Sequence, residues 1–125
     1  MSDSLERLYA AVIAAKDADP ATSRTAKLLR AGRAKMAKKL AEEAVEVVID
    51  AMHGQTEAVV KESADLMYNL VVLWVAAGIE PKHVWAEMNR RERMFGIAEK
   101  VPKRSAAFAR RKVVALASAR AHKRR

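Results

Sequence analysis

Cysteine is absent from the 125-residue chain. That excludes disulfides, thiolate metal sites and a cysteine nucleophile, and it fits a cytoplasmic protein. Glycine and proline are scarce, four and three residues, and they fall where helices would begin or end. No segment alternates apolar and polar residues with period two, so no strand is expected. No apolar run approaches the ~18 residues of a membrane span, and nothing at the N-terminus reads as a signal peptide. The length favours one domain with a modest core, and a hydrophobic content of 51% argues against disorder.

Acidic residues are also in the minority. Lys and Arg number 24 against 15 Asp and Glu, a formal net charge of +9, which raises nucleic-acid binding as a first hypothesis. The excess is local. Lys103 to Arg125 holds nine bases and no acid, leaving 15 bases and all 15 acids in residues 1–102. The expected organisation is therefore an all-α domain over 1–102 and a basic, partly helical extension over 103–125. The extension is the one place where nucleic acid could bind. It lacks the aromatic interleaving of base recognition, which favours a solvated extension.

The body reads as a set of helices. Ser4 or Ser2 can cap a first helix carrying Leu5, Leu8, Tyr9, Val12 and Ile13. A loop from Asp17 to Ser23 follows, then a short helix with Leu28 and Leu29 that Gly32 ends. A long helix runs from Arg33 to Met52, and another, with Thr56 as cap, from there to Ala77. Pro81 opens a last helix with Val84, Trp85 and Met88. In the long helix Met36, Leu40, Ala44, Val47, Val48 and Ala51 form one apolar stripe, with Val45 and Ile49 on another face. The segment Leu66–Val75 is apolar nearly all round. So much apolar surface exceeds what a small bundle covers, which predicts a homo-oligomer, most simply a dimer. The methionines and tryptophans read as packing residues, and His53 and His83 as surface.

The chemistry concentrates in two pairs of acids. Glu43 and Glu46 are i and i+3 on one helix, and Glu62 and Asp65 have the same relation on the next. The turn at Gly54 makes the two helices an antiparallel hairpin. Glu46 lies eight residues before Gly54 and Glu62 eight after; Glu43 lies eleven before and Asp65 eleven after. The four carboxylates therefore sit at matching heights. Exposed helix acids are commonplace, but the symmetry about the turn and the flanking Leu40, Val47, Leu66 and Leu73 set these apart. Converging acids in a half-buried groove need protons or cations between them. An all-oxygen donor set suits Mg²⁺, with Mn²⁺ as the alternative, and metal-assisted hydrolysis of a phosphoanhydride follows. Lys39, at i−4 from Glu43, either meets phosphate or pairs with Glu43. Arg90, Arg91 and Arg93 form a second basic cluster.

Ser23-Arg24-Thr25-Ala26-Lys27-Leu28, Gly32, Lys39 through Glu46, and Ala64-Asp65-Leu66-Met67-Tyr68 resemble the phosphoribosyl-ATP pyrophosphatases of histidine biosynthesis. Glu87 through Arg91 and Gly96 through Lys100 are similar to that family's C-terminal segment. The resemblance covers residues 5–102. The wider group is the MazG-like all-α nucleoside triphosphate pyrophosphohydrolases, whose Glu-x-x-Glu and Glu-x-x-Asp signature matches Glu43, Glu46, Glu62 and Asp65. The resemblance implies a dimeric antiparallel helical bundle that hydrolyses phosphoribosyl-ATP to phosphoribosyl-AMP and pyrophosphate with Mg²⁺. By the family pattern that quartet holds the metal, with Glu43 also catalytic. Glu42 orients water or supports the metal ligands, and Lys39 meets phosphate. Ser23, Thr25, Arg90, Arg91 and Lys100 contact the substrate. Arg24, Ala41, Asn69 and Phe95 depart from the family's usual residues around an intact quartet. The alternatives are pyrophosphohydrolysis of another (deoxy)nucleoside triphosphate, or a non-catalytic helical oligomer that binds nucleic acid through its tail.

Overall fold

The computed structural model describes residues 3–95. Five helices occupy them and no strand does: α1 (Ser4–Ala15), α2 (Arg24–Ala31), α3 (Arg33–Met52), α4 (Thr56–Ala77) and α5 (Pro81–Phe95). One compact unit ends at Val84, and a second begins at Trp85, inside α5. No single helix among the described residues is long and apolar enough to cross a membrane. The expected extension from Lys103 onward lies outside the described residues, as does Ser2.

In the first unit α3 and α4 pack along their lengths as an antiparallel hairpin, α1 lies against α4, and α2 bridges to α3. The core is Val12 of α1, Leu28 of α2, Met36 of α3, and Val71, Val72, Trp74 and Val75 of α4. Leu5, Leu8, Tyr9, Leu29, Tyr68, Leu70, Leu73, Ile79 and Val84 pack against it. The C-terminal half of α4 is the central element, as its all-round apolarity predicts: Val71 and Val72 are fully buried, each worth about 1.5–3 kcal/mol of apolar burial. Ala26 is also fully buried. It is invisible to an argument from large apolar residues, because its small side chain is what lets α2 approach closely.

Helix ends follow glycine chemistry more than serine chemistry. Gly78 adopts φ +74°, and beyond it the Ile79 N–H donates to the Trp74 carbonyl at 2.8 Å. Ile79 itself packs on the core, completing a Schellman-type stop. Gly32, at φ +98°, both ends α2 and begins α3. The expected hydroxyl caps of α1 and α4 are corrected. Asp3 precedes α1 without a side-chain capping bond; its carboxylate pairs with Arg7, which also donates to Ser4 Oγ at 3.1 Å. Thr56 is already helical, so its hydroxyl is displaced from the capping position, which Gln55 holds without a side-chain bond.

The apolar stripe of α3 is covered only in part. Met36 is buried, but Val48 is 61% exposed and Ala51 is exposed. Val45, Ile49 and Met52 are exposed as well. With Val48 they recur at i, i+3, i+4 and i+7, one continuous face of the C-terminal half of α3. Val60, on the facing end of α4, is exposed too. Of the methionines described, only Met36 is packed in the core; Met52, Met67, Met88 and Met94 are exposed. Trp74 is in the core as expected, and Trp85 is half-buried.

Candidate metal and substrate site

The hairpin positions the acids. A tight turn through His53, Gly54 (φ +66°) and Gln55 reverses the chain, with the Gln55 N–H donating to the Asp50 carbonyl at 2.9 Å. The two long helices then run side by side, and their i, i+3 acid pairs meet across the interface. Glu43, Glu62 and Asp65 each present a carboxylate oxygen within 4.8 Å of the others, and all three are half-buried. Glu46 is exposed and outside that trio, yet close enough to Glu62 to act on its titration. The equal spacing about Gly54 thus places three of the four acids in one cluster and the fourth at its rim.

The electrostatics of the cluster are those of charges needing a counter-charge. Glu62 is pushed up to about 8, first by hydrogen bonding with Glu43, then with Glu46, then by burial and by the negative charges of both neighbours. Glu43 Oε2 and Glu62 Oε2 are buried and meet no donor. With every carboxylate ionised no partner exists for them; a proton on Glu62 or a cation between them supplies one. Three carboxylate oxygens gathered this closely, two of the residues carrying a buried and unpartnered oxygen, fit a hard divalent cation.

One turn deeper along α4 lies a polar residue whose burial the sequence does not announce. Asn69 is 1% exposed; its Nδ2 donates to the Asp65 carbonyl at 2.8 Å, while its Oδ1 has no partner. Glu62, Asp65 and Asn69 share a face of α4 at i, i+3 and i+7, so the periodicity that reveals the acids also marks this position. Tyr68 beside it joins α4 to α2: Thr25 Oγ1 and the Tyr68 hydroxyl lie 2.7 Å apart, and the Arg24 guanidinium stands over the Tyr68 ring at 5.2 Å.

The other expected site residues are placed as follows. Ser23 caps α2, its hydroxyl accepting from the Ala26 N–H at 3.1 Å. Lys39 is half-buried on α3 and makes no ion pair with Glu43 among the described residues. Glu42 is exposed and lies 4.0 Å from Lys38. Arg90 and Arg91 belong to the second unit, where both reach Glu87. Arg90 Nε donates to its two oxygens at 3.0 and 2.8 Å, and Arg91 Nε to one of them at 3.3 Å. Arg90 and then Arg91 hold the Glu87 carboxyl below its usual range. Lys100 lies outside the described residues.

The described residues are all-helical, with carboxylates facing each other across an antiparallel helix pair, and the fold is of the MazG-like all-α class. Within that class the chain belongs to the phosphoribosyl-ATP pyrophosphohydrolase family, whose model matches residues 5–92. It is 62% identical to phosphoribosyl-ATP pyrophosphatase 2 of Bradyrhizobium diazoefficiens, over 99% of each chain. It is 69% identical to phosphoribosyl-ATP pyrophosphatase 2 of Rhodopseudomonas palustris, over 82% of this chain and 79% of the relative. Phosphoribosyl-ATP pyrophosphatase of Azospirillum brasilense is 55% identical, over 81% of this chain and 91% of its own length.

Proposed function

We propose that this chain is a cytoplasmic enzyme that hydrolyses phosphoribosyl-ATP to phosphoribosyl-AMP and pyrophosphate, an early step of histidine biosynthesis. The observation that carries the reading is the convergence of Glu43, Glu62 and Asp65, with buried oxygens that lack a donor, inside a chain of this family. Glu43, Glu62 and Asp65 would hold Mg²⁺, or Mn²⁺, with Glu46 completing the quartet from the rim. Bound there, the cation would activate water and neutralise phosphate charge. Lys39, on the same face of α3 one turn from Glu43, would meet a phosphate oxygen. Glu42 would orient water from the exposed side. Ser23, Thr25, Arg90, Arg91 and Lys100 would contact the substrate. Thr25 is already ordered by Tyr68, and Arg90 and Arg91 are gathered on one carboxylate.

The active form we propose is a homodimer. Val45, Val48, Ile49, Met52 and Val60 leave an apolar face at the turn end of the hairpin that the other described residues do not cover. A second copy would bury it. The catalytic domain is taken to end at residue 102, with 103–125 as an extension the chemistry does not require.

The test is pyrophosphate release from phosphoribosyl-ATP and from the common (deoxy)nucleoside triphosphates, with and without Mg²⁺. The expected outcome is Mg²⁺-dependent turnover that prefers phosphoribosyl-ATP and is abolished in Asp65→Ala. Preference for another triphosphate would refute the substrate, and full activity of Asp65→Ala would refute the site.

A further inference from the structure

We infer that the pocket at the start of α2 is an anion subsite for a phosphate monoester, with Arg24 and Lys27 as its cations and Tyr68 as the residue that positions Arg24. The pocket has a volume of about 520 Å³ and is lined by Pro20, Ala21, Thr22, Ser23, Arg24 and Lys27. That size falls in the range of small-molecule sites. Its wall holds two cations and two hydroxyls and no carboxylate. The acid nearest in sequence, Asp19, is turned to the backbone, its Oδ1 accepting from the Ala21 N–H at 2.9 Å.

Arg24 and Lys27 are i and i+3 on α2 and so share a face. Arg24 and Lys27 have no carboxylate partner among the described residues, and they face a common cavity. Arg24 is nevertheless held. Its guanidinium lies over the Tyr68 ring at 5.2 Å, and the Tyr68 hydroxyl is fixed by Thr25 Oγ1 at 2.7 Å. This cation–π contact uses no guanidinium N–H as a hydrogen-bond donor to a carboxylate, so the N–H groups that grip phosphate oxygens in a fork are available. An arginine ordered this way loses less freedom on binding an anion than one free in solvent.

Tyr68 also fixes the relation of the pocket to the acids, since it lies on α4 at i+3 from Asp65. The molecule therefore has a basic subsite tied through one side chain to the carboxylate cluster. A substrate with phosphate at two places, a triphosphate and a separate ribose monophosphate, matches two such centres. This part of the inference rests on the proposed activity. On that reading the pocket distinguishes a phosphoribosylated nucleotide from a plain triphosphate.

The test begins without turnover. Ribose 5-phosphate, with neutral ribose as control, is titrated into the isotopically labelled full-length protein and followed by the amide resonances of residues 21–27 and the Arg24 side-chain Nε–H. Saturable shifts at these positions with ribose 5-phosphate and none with ribose are expected. Arg24→Gln and Lys27→Gln should each raise the Kd about tenfold, and Arg24→Lys less. Tyr68→Phe, which keeps the ring, should bind more tightly than Tyr68→Leu. Both cations are exposed, so these variants should keep the wild-type circular dichroism. Shifts confined to other segments, equal response to ribose, or wild-type affinity in Arg24→Gln would overturn the assignment. In turnover, Arg24→Gln should raise KM for phosphoribosyl-ATP about tenfold with a much smaller change in kcat; a fall in kcat alone would overturn the specificity role. Binding of ribose 5-phosphate by a protein that does not hydrolyse phosphoribosyl-ATP would refute the proposed activity and leave the subsite standing.

Discussion

Glu62→Gln separates the metal reading of the acid cluster from a merely structural one. In the metal-free protein the cluster retains a proton to about pH 8, with Glu62 as its principal holder and Glu43 and Glu46 as the reason. A group titrating there is about 0.9 protonated at pH 7 and about 0.1 protonated at pH 9. A divalent cation held by Glu43, Glu62 and Asp65 would take that proton's place. Mg²⁺ binding should therefore release close to one proton at pH 7 and almost none at pH 9. Apparent affinity should rise roughly tenfold per pH unit up to about pH 8 and then level. The assay is isothermal titration of Mg²⁺ in buffers of different ionisation enthalpy; the slope of observed heat against buffer enthalpy counts the protons. In Glu62→Gln the amide N–H replaces the proton as donor to the neighbouring carboxylates, so the fold persists, proton release disappears and Mg²⁺ affinity drops. The stability of the metal-free protein carries the same sign. Glu62 is ionised in the unfolded chain above its ordinary 4.5 but protonated in the fold up to about 8. The folded state thus binds the extra proton, and stability falls as pH rises through that window. Glu62→Gln should remove this slope. Proton release near zero at pH 7 in the wild type, or an unaltered slope in the variant, would refute the account of the cluster.

Val48→Asp places a charge in the exposed apolar face of α3; light scattering after gel filtration should show the wild type as the proposed dimer and the variant as a monomer, and an equal mass for the two would remove that face from the interface. Val72→Ala removes two carbons from a fully buried position, which should cost about 2 kcal/mol and lower Tm by about 10 °C in thermal denaturation. Deleting Lys103–Arg125 should leave pyrophosphate release intact while abolishing any salt-sensitive RNA binding seen by filter retention; loss of activity would place the extension within the catalytic domain.

The helices themselves were legible because their signals are local. Gly32, Gly54, Gly78 and Pro81 punctuate the chain, and the apolar period between them is that of an α-helix. The limits of α3, Arg33 to Met52, follow from that punctuation alone. The hydroxyl caps misled for an equally local reason: a hydroxyl next to a helix start can accept from the first-turn N–H groups only if the backbone leaves it outside the first turn, and at Thr56 it does not.

Sequence by itself also determined which acids face one another, since spacing about a turn is a property of an antiparallel pair whatever surrounds it. Only the tertiary structure decided how many converge. It drew Glu43, Glu62 and Asp65 together and left Glu46 at the rim, because height along a helix is fixed by residue number whereas depth in the interface is fixed by packing. The same distinction holds elsewhere. Val48 belongs to the apolar stripe by periodicity, yet α4 covers only part of that stripe. Asn69 is polar by identity, yet its place on the inner face of α4 buries it. The Arg24–Tyr68–Thr25 contact joins residues more than forty positions apart. A linear pattern fixes the direction in which a side chain leaves its helix; what it meets is decided by the neighbouring helix.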